Sequence, residues 1–257
     1  MLPIDLSGRV ALVVGGSRGI GVGIVEALCR AGARVVFTHR GSPQRQATLA
    51  NLLEQLRGAD GQAEDVVADA CDPAQTKRVI DDIVRLHGRL DILVCNVGQT
   101  LRRPVDQVID DQWRHFLDIN LSSAFYAVRA ALPHMEMTGH GRIVLIGSSA
   151  VFDGGGGAID YASAKAGLHG MMAYLNRNYA RKGILTNLVH PCVIDTELFR
   201  ERYDTEEKRA GLASTVPAGR LGTPADVAGL VAFLVCPLGD FVCGQAILVD
   251  GGRTLFR

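Results

Sequence analysis

A tyrosine and a lysine four positions apart carry the clearest chemistry in this sequence. Tyr161 and Lys165 stand at the start of a predicted long helix, so their side chains share one helical face. A free phenol exchanges protons poorly at neutral pH, because its pKa is about 10. A neighbouring ammonium favours the phenolate. We therefore expect Lys165 to lower the pKa of Tyr161 and prepare it for general acid–base catalysis.

A serine upstream supplies a second hydroxyl group. Ser148 comes shortly after the predicted strand Ile143–Ile146, where its side chain would face a cleft. Ser149 follows directly and is the alternative to Ser148. A phenol, an ammonium and a hydroxyl together indicate proton transfer to or from a carbonyl or alcohol oxygen. No metal is needed for this chemistry, because the tyrosine hydroxyl polarises the oxygen.

A glycine-rich segment near the amino terminus predicts a phosphate-binding loop. It reads VVGGSRGIG over residues 13–21, between the first predicted strand and the first predicted helix. Glycines permit positive φ and close approach of the backbone to a ligand. The amino terminus of the helix offers free N–H groups and a positive dipole end to a pyrophosphate. This context indicates a dinucleotide site.

The end of the second predicted strand discriminates between dinucleotides. An acidic residue there would favour NAD(H), whereas a basic residue would favour the 2′-phosphate of NADP(H). The strand ends in FTHR, with Arg40 and no carboxylate, and Arg18 lies in the glycine loop. Two guanidinium groups bind a phosphate strongly. The sequence therefore favours NADP(H) over NAD(H).

The elements that position these residues alternate along the chain. Short β-branched runs predict seven strands: Val10–Val14, Val35–Phe37, Val66–Ala68, Ile92–Cys95, Ile143–Ile146, Leu185–Val189 and Ala246–Val249. Helical patterns fall between them, after the glycine loop through Cys29 and near Gln44–Leu56, Ala74–Leu86, Asp110–Met135, Tyr161–Ala180 and Ala225–Val235. Strands without polar alternation, separated by helices, predict a doubly wound parallel α/β sheet, a Rossmann fold, in a single domain over 1–257.

One irregular segment interrupts this alternation. Residues 196–224 are charged and contain several prolines and glycines. In a sheet of this kind, such an insertion lies beyond the carboxyl ends of the strands, where ligands bind. We expect it to cover the substrate. A surface excursion without function is the alternative.

Composition excludes several other classes of protein. Lys plus Arg and Asp plus Glu both number 27, so bulk charge gives no sign of a nucleic-acid partner. No apolar run is long enough to span a membrane. The six cysteines are scattered without a CxxC pair, which argues against zinc and disulfides and fits a reducing, cytoplasmic location.

The ordered set of motifs resembles the classical short-chain dehydrogenase/reductase family over nearly the whole chain. The matching pieces are Gly15-x-x-x-Gly19-x-Gly21, Asp69, CNVG over 95–98, Asn120, Ser148, Tyr161-x-x-x-Lys165, NLVHP over 187–191, RLGTP over 220–224, Gly244-Gln245 and VDGG over 249–252. This resemblance implies an NADP(H)-dependent enzyme that transfers hydride between the nicotinamide and a carbonyl or secondary alcohol.

The resemblance also implies roles for individual residues. Tyr161 would be the general acid or base, Lys165 would hold the nicotinamide ribose, and Ser148 would orient the reacting oxygen. Asn120 would hold a water that links Lys165 to solvent, although an amide bonding its own helix backbone is the alternative. The expected dinucleotide-binding residues are Gly15, Ser17, Arg18, Gly19, Ile20, Gly21, Arg40, Asp69, Ala70, Asn96, Val97, Gly98, Tyr161, Lys165, Pro191, Val193, Ile194 and Thr196.

Four residues depart from the family pattern. Val14 replaces a threonine before the glycine loop, and Cys95 and Val97 replace an asparagine and an alanine after the fourth strand. Cys192 replaces the glycine of a Pro-Gly pair, close to the expected nicotinamide. None of these changes removes a group that transfers protons, so the enzyme interpretation stands.

The pattern is most similar to 3-oxoacyl-[acyl-carrier-protein] reductases and related acetoacetyl-CoA reductases. The resemblance therefore implies a carrier- or CoA-bound 3-oxoacyl substrate and a homotetramer or homodimer. The end of the helix before Ser148 reads MEMTGH over 135–140, without the basic residues that would dock an acidic carrier. A dehydrogenase of a small cyclic, sugar-like or secondary-metabolite alcohol is the alternative, and a catalytically silent dinucleotide-binding regulator is a remote one.

Overall fold

Seven parallel strands form one sheet in the computed structural model, which describes residues 4–42, 46–58 and 61–254. The strands are β1 (Val10–Val14), β2 (Arg34–His39), β3 (Gln62–Val67), β4 (Ile92–Cys95), β5 (Gly141–Ile146), β6 (Ile184–Pro191) and β7 (Ala246–Val249). Their spatial order is β3-β2-β1-β4-β5-β6-β7. The order reverses direction between β1 and β4, where a crevice opens at the carboxyl ends of the strands. The predicted doubly wound parallel sheet is confirmed.

Ten α-helices are present within the described ranges. They are α1 (Ile20–Arg30), α2 (Gln46–Gly58), α3 (Pro73–His87), α4 (Asp110–Leu117), α5 (Ser123–Thr138), α6 (Ala150–Asp153), α7 (Ile159–Tyr179), α8 (Glu197–Arg202), α9 (Glu206–Ala213) and α10 (Pro224–Val235). Local signals start and stop several of them. Asp72 accepts hydrogen bonds from the N–H groups of Ala74 and Gln75 at the start of α3, and Gly88 ends that helix in a left-handed conformation.

Two apolar layers sandwich the sheet. Ala11 and Val13 of β1 face a layer that contains residues of α1, α2 and α10. Leu12 of the same strand faces the opposite layer, which contains residues of α3, α5 and α7. Because successive side chains of a strand point to opposite faces, a run of apolar residues in β1 serves both layers. This double burial holds the carboxyl ends of the strands, and hence the site residues, in place.

The sequence placed the third strand incorrectly. It predicted Val66–Ala68, whereas β3 spans Gln62–Val67 and carries a largely exposed, polar face. The strand lies at the edge of the sheet, beyond β2. An edge strand packs fewer of its side chains into the core, so the β-branched run that identifies a central strand is missing here.

The predicted helix Asp110–Met135 is also not one regular helix. A π-helical turn over Asp118–Ser122 separates α4 from α5, and α5 continues to Thr138 before Gly139 turns left-handed. A π-helical turn inserts one extra residue into a helix. The hydrophobic periodicity of the sequence does not reveal this insertion, because the apolar face resumes after the turn. The start of the predicted helix Gln44–Leu56 lies outside the described residues, and α2 runs two residues past its predicted end.

The segment 196–224 is more regular than expected. It contains α8 and α9, each begun by a threonine whose hydroxyl accepts an N–H hydrogen bond, Thr196 for α8 and Thr205 for α9. Both helices are short and mostly exposed, which explains why their pattern was not recognised. Across the described part of the chain, no helix combines the length and apolar character needed to cross a membrane.

Candidate active site

A cleft of about 430 Å³ opens at the crevice between β1 and β4. Twelve of the predicted dinucleotide-binding residues line it: Gly15, Ser17, Arg18, Gly19, Ile20, Arg40, Asp69, Ala70, Asn96, Val97, Gly98 and Thr196. The sequence analysis did not assign a binding role to the remaining lining residues, which are Thr38, His39, Gly41, Ser42, Leu49, Ala68, Cys71, Gln99, Ile119, Glu197 and Leu198. Most of them are immediate neighbours of predicted residues, so motif spacing could have found them.

The glycine loop fits a dinucleotide. Gly15 and Gly19 have φ values of 87° and 53°, a region that favours glycine. A Cβ atom at Gly21 would lie 2.2 Å from the carbonyl oxygen of Gly15, so this glycine lets α1 pack against the turn. The start of α1 lies at the cleft, which Gly19 and Ile20 line, and the amino terminus of a helix favours binding of a phosphate.

Asn96 ties the loop after β4 to the glycine loop. Its side-chain Nδ2 donates to the carbonyl oxygen of Gly15 at 2.7 Å, and its backbone N–H donates to Val14 at 3.0 Å. Val97 packs directly on Gly15, because a Cβ there would come 2.8 Å from Cγ2 of Val97. The substituted valine thus forms part of the cleft wall.

The hydroxyl missing at Val14 has a counterpart on the neighbouring strand. The backbone N–H of Gly15 donates to Oγ1 of Thr38 at 3.3 Å, and Thr38 pairs with Val14 in the register of β1 and β2. The side chain of Thr38 therefore anchors the start of the glycine loop from β2.

Two of the residues that line the cleft are arginines. Arg18 and Arg40 are both exposed. The neighbouring strand β3 carries an acidic residue, Asp65, but its Oδ2 pairs with Nε2 of His39 at 3.0 Å. Asp69 accepts a hydrogen bond from the backbone N–H of Cys71 at 3.0 Å and so shapes the turn after β3. The lining of the cleft thus supplies two cations that can pair with a phosphate.

Tyr161 and Ser148 come together at the first turn of α7. The two side chains face each other, and the hydroxyl of Ser148 acts to lower the pKa of the phenol. Burial has the larger effect and raises the pKa of Tyr161. The expectation of a lowered tyrosine pKa is therefore wrong for this arrangement, and the phenol keeps its proton at neutral pH. The alternative hydroxyl, that of Ser149, is buried.

The ammonium of Lys165 is engaged by backbone carbonyl groups. Nζ donates to the carbonyl oxygen of Ile146 at 2.9 Å and to that of Val97 at 3.4 Å. Burial lowers the pKa of Lys165 to about 8, because a low-dielectric environment disfavours the charged form. Lys165 is thus held between the end of β5 and the loop after β4, next to the cleft.

Asn120 lies in the π-helical turn and fixes the loop after β4. Its Nδ2 donates to the carbonyl oxygens of Gln99 at 2.8 Å and Phe116 at 2.9 Å, and its Oδ1 accepts from the N–H of Gln99 at 3.0 Å. The bond to Phe116 is the helix-backbone alternative considered above. A Cβ at Gly98 would lie 3.2 Å from both Oδ1 of Asn120 and Nζ of Lys165. Gly98 therefore allows the amide and the ammonium to approach.

The predicted residues after β6 divide into two groups. Thr196 packs on Gly19, since a Cβ there would lie 3.1 Å from Cγ2 of Thr196. Val193 has a φ of 27°, a left-handed conformation that is strained for a β-branched residue. The six predicted dinucleotide-binding residues that do not line the cleft described above are Gly21, Tyr161, Lys165, Pro191, Val193 and Ile194.

Cys192 opens on a different cavity. Its sulfur accepts a hydrogen bond from Nη1 of Arg253 at 3.4 Å. It lines a space of about 390 Å³ together with residues of β7 and of the segment before α10. The thiol that replaces the family glycine is therefore directed away from the dinucleotide cleft.

A buried histidine behind Ser148 was not predicted. His190 is fully buried in β6, and its Nδ1 lies at hydrogen-bonding distance from the backbone of Ser148. Its ring stacks on that of His169 with centroids 4.8 Å apart. Apart from the position of His190 within the motif at 187–191, no pattern in the sequence indicates this contact. Within the described residues, no group of three His, Cys, Asp or Glu side chains is placed to hold a metal ion.

The chain is similar in sequence to known proteins over nearly its whole length. Residues 14–254 match the family model described as enoyl-(acyl carrier protein) reductase. The chain is 37% identical to the 3-oxoacyl-[acyl-carrier-protein] reductase FabG of Escherichia coli strain K12, over 98% of this chain and 100% of that protein.

Two solved structures place bound dinucleotides in the same fold. One is a gluconate 5-dehydrogenase from Burkholderia cenocepacia J2315 in complex with NADP and tartrate, with a TM-score of 0.89, 34% identity and 98% coverage of both chains. The other is a blue fluorescent protein from a metagenomic library in complex with NADPH, with a TM-score of 0.87 and 36% identity over 97% of this chain and 99% of that one.

Proposed function

This chain belongs to the short-chain dehydrogenase/reductase family, and from that premise we propose that it reduces a ketone to a secondary alcohol with NADPH, Tyr161 being the general acid. The observation that carries the proposal is the buried phenol of Tyr161, which interacts with the hydroxyl of Ser148 and lies one helical turn from Lys165, whose ammonium packs against Gly98 of the cleft. Burial keeps the phenol protonated, which is the state that a proton donor needs. The reverse oxidation uses the same groups in the opposite direction.

The side chains divide the proton chemistry between them. When bound, the dinucleotide supplies the hydride that adds to the carbonyl carbon. Tyr161 gives its proton to the carbonyl oxygen, and the hydroxyl of Ser148 orients that oxygen. The ammonium of Lys165 stabilises the resulting phenolate. Asn120 holds the loop that carries Val97, and Lys165 donates to the carbonyl oxygen of Val97. Oδ1 of Asn120 keeps one free lone pair for a water that resupplies the proton.

NADP(H) is the preferred dinucleotide of this proposal. Arg18 and Arg40 place two guanidinium groups in the lining of the cleft, and a 2′-phosphate forms charge-assisted hydrogen bonds with such groups. Similarity to proteins solved with NADP and NADPH supports this choice. The remaining predicted dinucleotide-binding residues keep their proposed roles.

A 3-oxoacyl thioester is the substrate class that we favour, because similarity to the Escherichia coli 3-oxoacyl reductase extends over both whole chains. A sugar-acid dehydrogenase is the second candidate. It is favoured by the resemblance to a gluconate 5-dehydrogenase and by the exposed guanidinium of Arg202, which donates to the carbonyl oxygen of Gly156 at 3.2 Å near the catalytic tyrosine. We propose that residues 196–224, which include Arg202, cover the substrate.

We also propose that the chain acts as a homotetramer or homodimer in the cytoplasm, as one domain over 1–257. Exposed aromatic side chains on α5 and α7, Phe125 and Tyr174, support association of these helices. The six free cysteines fit a reducing compartment. Light scattering coupled to size-exclusion chromatography of the wild type and a Phe125→Glu variant tests the assembly.

A substrate panel tests the reaction. Acetoacetyl-CoA, a 3-oxoacyl carrier protein, a neutral cyclic ketone and 5-ketogluconate are each incubated with NADPH or NADH while the absorbance of reduced nicotinamide is followed. The proposal expects fastest turnover with a 3-oxoacyl thioester and NADPH, and loss of turnover in Tyr161→Phe. Preference for the ketogluconate would select the second candidate. Unchanged turnover in Tyr161→Phe refutes the assigned proton donor.

A further inference from the structure

A buried ion pair lies immediately before the catalytic tyrosine. Nη2 of Arg103 donates to Oδ2 of Asp160, and the exposed fractions of the two side chains are 7% and 0%. The guanidinium of Arg103 also lies over the ring of Phe116, 4.7 Å from its centroid. Burial of two charges is costly unless they are paired, so this pair constrains both of its partners.

Asp160 connects the pair to the backbone of Tyr161. Its second oxygen, Oδ1, accepts a hydrogen bond from the N–H of Tyr161 at 2.6 Å. That N–H belongs to the first turn of α7, where backbone donors lack a partner within the helix. One carboxylate therefore holds the first turn of the catalytic helix through one oxygen and Arg103 through the other.

Arg103 stands at the far end of a loop that contacts the other site residues. At the near end, the backbone of Gln99 is bracketed by the amide of Asn120. In between, Oγ1 of Thr100 donates to the carbonyl oxygen of Gly156 at 3.3 Å. Residues 99–103, which we call the 99–103 strap, thus touch the π-helical turn, the glycine run and the start of α7.

Arg103 has few ways to compensate for the loss of this pair. Its Nε and Nη1 atoms are buried and lack hydrogen-bond partners among the residues that the structure describes. Its neighbour Arg102 is exposed. The two adjacent arginines therefore differ in burial while they share a charge, and Arg102 is a matched control.

We propose that Arg103 is a positioning residue for the reaction. Through Asp160 it holds Tyr161 against Ser148, and through the 99–103 strap it keeps Asn120 in a fixed position relative to Tyr161. This inference rests on the proposed function. It adds a component outside the Ser148, Tyr161 and Lys165 set, namely a long-range ion pair that fixes the start of the catalytic helix. Arg103 itself touches neither the reacting oxygen nor the dinucleotide cleft.

Five variants test the proposal: Arg103→Met, Arg103→Lys, Asp160→Asn, the double variant Arg103→Met with Asp160→Asn, and Arg102→Met. The steady-state kcat and KM are measured for the best carbonyl substrate, with the pH profile of kcat and the thermal shift given by NADP. We expect kcat to fall about 30-fold or more in Arg103→Met, with the KM for NADPH changed by less than about twofold. Arg103→Lys should recover to within about fivefold of wild type, and Arg102→Met should match wild type.

The double variant separates positioning from simple loss of stability. With both charges gone, no uncompensated buried charge remains, so its loss of kcat should be clearly smaller than the product of the two single losses. In Arg103→Met, a displaced phenol should also change the surroundings of the Lys165 ammonium, whose deprotonation sets the alkaline decline, and so shift the pH at which kcat declines. A purely structural role would instead lower the melting temperature and leave kcat of the folded enzyme and its pH profile unchanged, which overturns the inference.

Other results also decide the matter. Losses that multiply in the double variant, or an equal loss of kcat in Arg102→Met, would contradict the ion-pair mechanism. If Arg103→Met does not fold, the kcat values of Arg103→Lys and Asp160→Asn decide in the same way. A wild type that turns over no carbonyl compound refutes the proposed function, whereas an active wild type with an equally active Arg103→Met refutes this inference alone.

Discussion

Nδ1 of His190 lies 3.0 Å from the backbone nitrogen of Ser148 and 2.9 Å from its carbonyl oxygen. The ring occupies space that a side chain at Gly147 would fill, because a Cβ there would come 2.5 Å from Nδ1. One neutral ring nitrogen either accepts from the N–H or donates to the carbonyl, according to the tautomer. In both cases His190 fixes the backbone that presents the hydroxyl of Ser148.

We expect His190→Ala to lower kcat by about fivefold, since a backbone hydrogen bond contributes about 1 kcal/mol and Ser148 would lose its support. His190→Asn should retain most of the activity, because an asparagine places a polar atom close to the position of Nδ1. Steady-state kinetics of both variants with one ketone would show this. Equal kcat values for the two variants would count against a role of Nδ1.

The same histidine predicts a pH dependence of stability. Burial lowers the pKa of His190 to about 4, below its value of about 6.5 in an unfolded chain. Between these pH values the unfolded state binds a proton that the native state does not. The free energy of unfolding should therefore fall as pH drops through this window, with a slope of up to about 1.4 kcal/mol per pH unit from this residue.

Urea unfolding of the wild type and His190→Asn across this pH range checks the prediction. The variant should show the shallower slope. His140, whose pKa burial also lowers to about 4, contributes equally to both proteins and cancels in the comparison. Parallel stability curves for the two proteins would be inconsistent with a neutral, buried His190.

Lys165 predicts a decline of activity in alkaline solution. Burial lowers its pKa to about 8, so the ammonium that stabilises the phenolate is lost above that pH. The value of kcat/KM for carbonyl reduction, which reports the free enzyme, should be constant near neutrality and fall by up to about tenfold per unit above pH 8. Tyr161, whose pKa burial raises, does not account for this decline.

Lys165→Arg provides the comparison for that profile, because a guanidinium stays charged throughout the range. The residual activity of this variant should lack the alkaline decline. A wild-type profile that stays flat through about pH 9, or a decline retained in the arginine variant, would exclude Lys165 as the titrating group.

Gly21→Ala should weaken both the fold and dinucleotide binding. The new Cβ would lie 2.2 Å from the carbonyl oxygen of Gly15 and 2.8 Å from Nδ2 of Asn96, so α1 must shift away from the loop. We expect a loss of about 1–3 kcal/mol in the free energy of unfolding and a smaller thermal shift with NADP.

Gly170→Ala is the matched control for that prediction. Gly170 also lies in a helix, and apart from the backbone of that helix no described atom would come within 4 Å of a Cβ there. It should be neutral or stabilised by about 0.5–1 kcal/mol, as expected for alanine in a helix interior. Equal behaviour of the two alanine variants would show that the packing of Gly21 is not limiting.

Arg40→Ser should reduce the preference for NADP(H). The lost charge-assisted contact is expected to raise the KM for NADPH by about 10- to 100-fold and to leave that for NADH within about twofold. Kinetics with both dinucleotides measure the ratio. Arg30→Ser, which removes an arginine with a 72% exposed side chain at the end of α1, is the control. A ratio that moves equally in both variants would refute the role of Arg40.

Local patterns in the sequence determined much of this protein. The apolar run of β1, the glycine loop and the four-residue spacing of Tyr161 and Lys165 each depend on neighbours a few positions away. Such features predicted the doubly wound sheet and the side chains of the proposed reaction, because a parallel sheet brings the ends of its strands to one edge. They did not predict the direction in which the pKa of Tyr161 shifts, because burial outweighs the effect of the Ser148 hydroxyl there.

Only the tertiary structure decided which distant groups support that chemistry. Arg103 and Asp160 are 57 positions apart, and Ser148 and His190 are 42 apart. No spacing rule links residues so far apart, because their contact depends on how loops and strands pack. The edge strand β3 and the π-helical turn around Asn120 escaped prediction for a related reason. Their conformations depend on the elements that pack against them, and the hydrophobic periodicity of a segment carries no information about those elements.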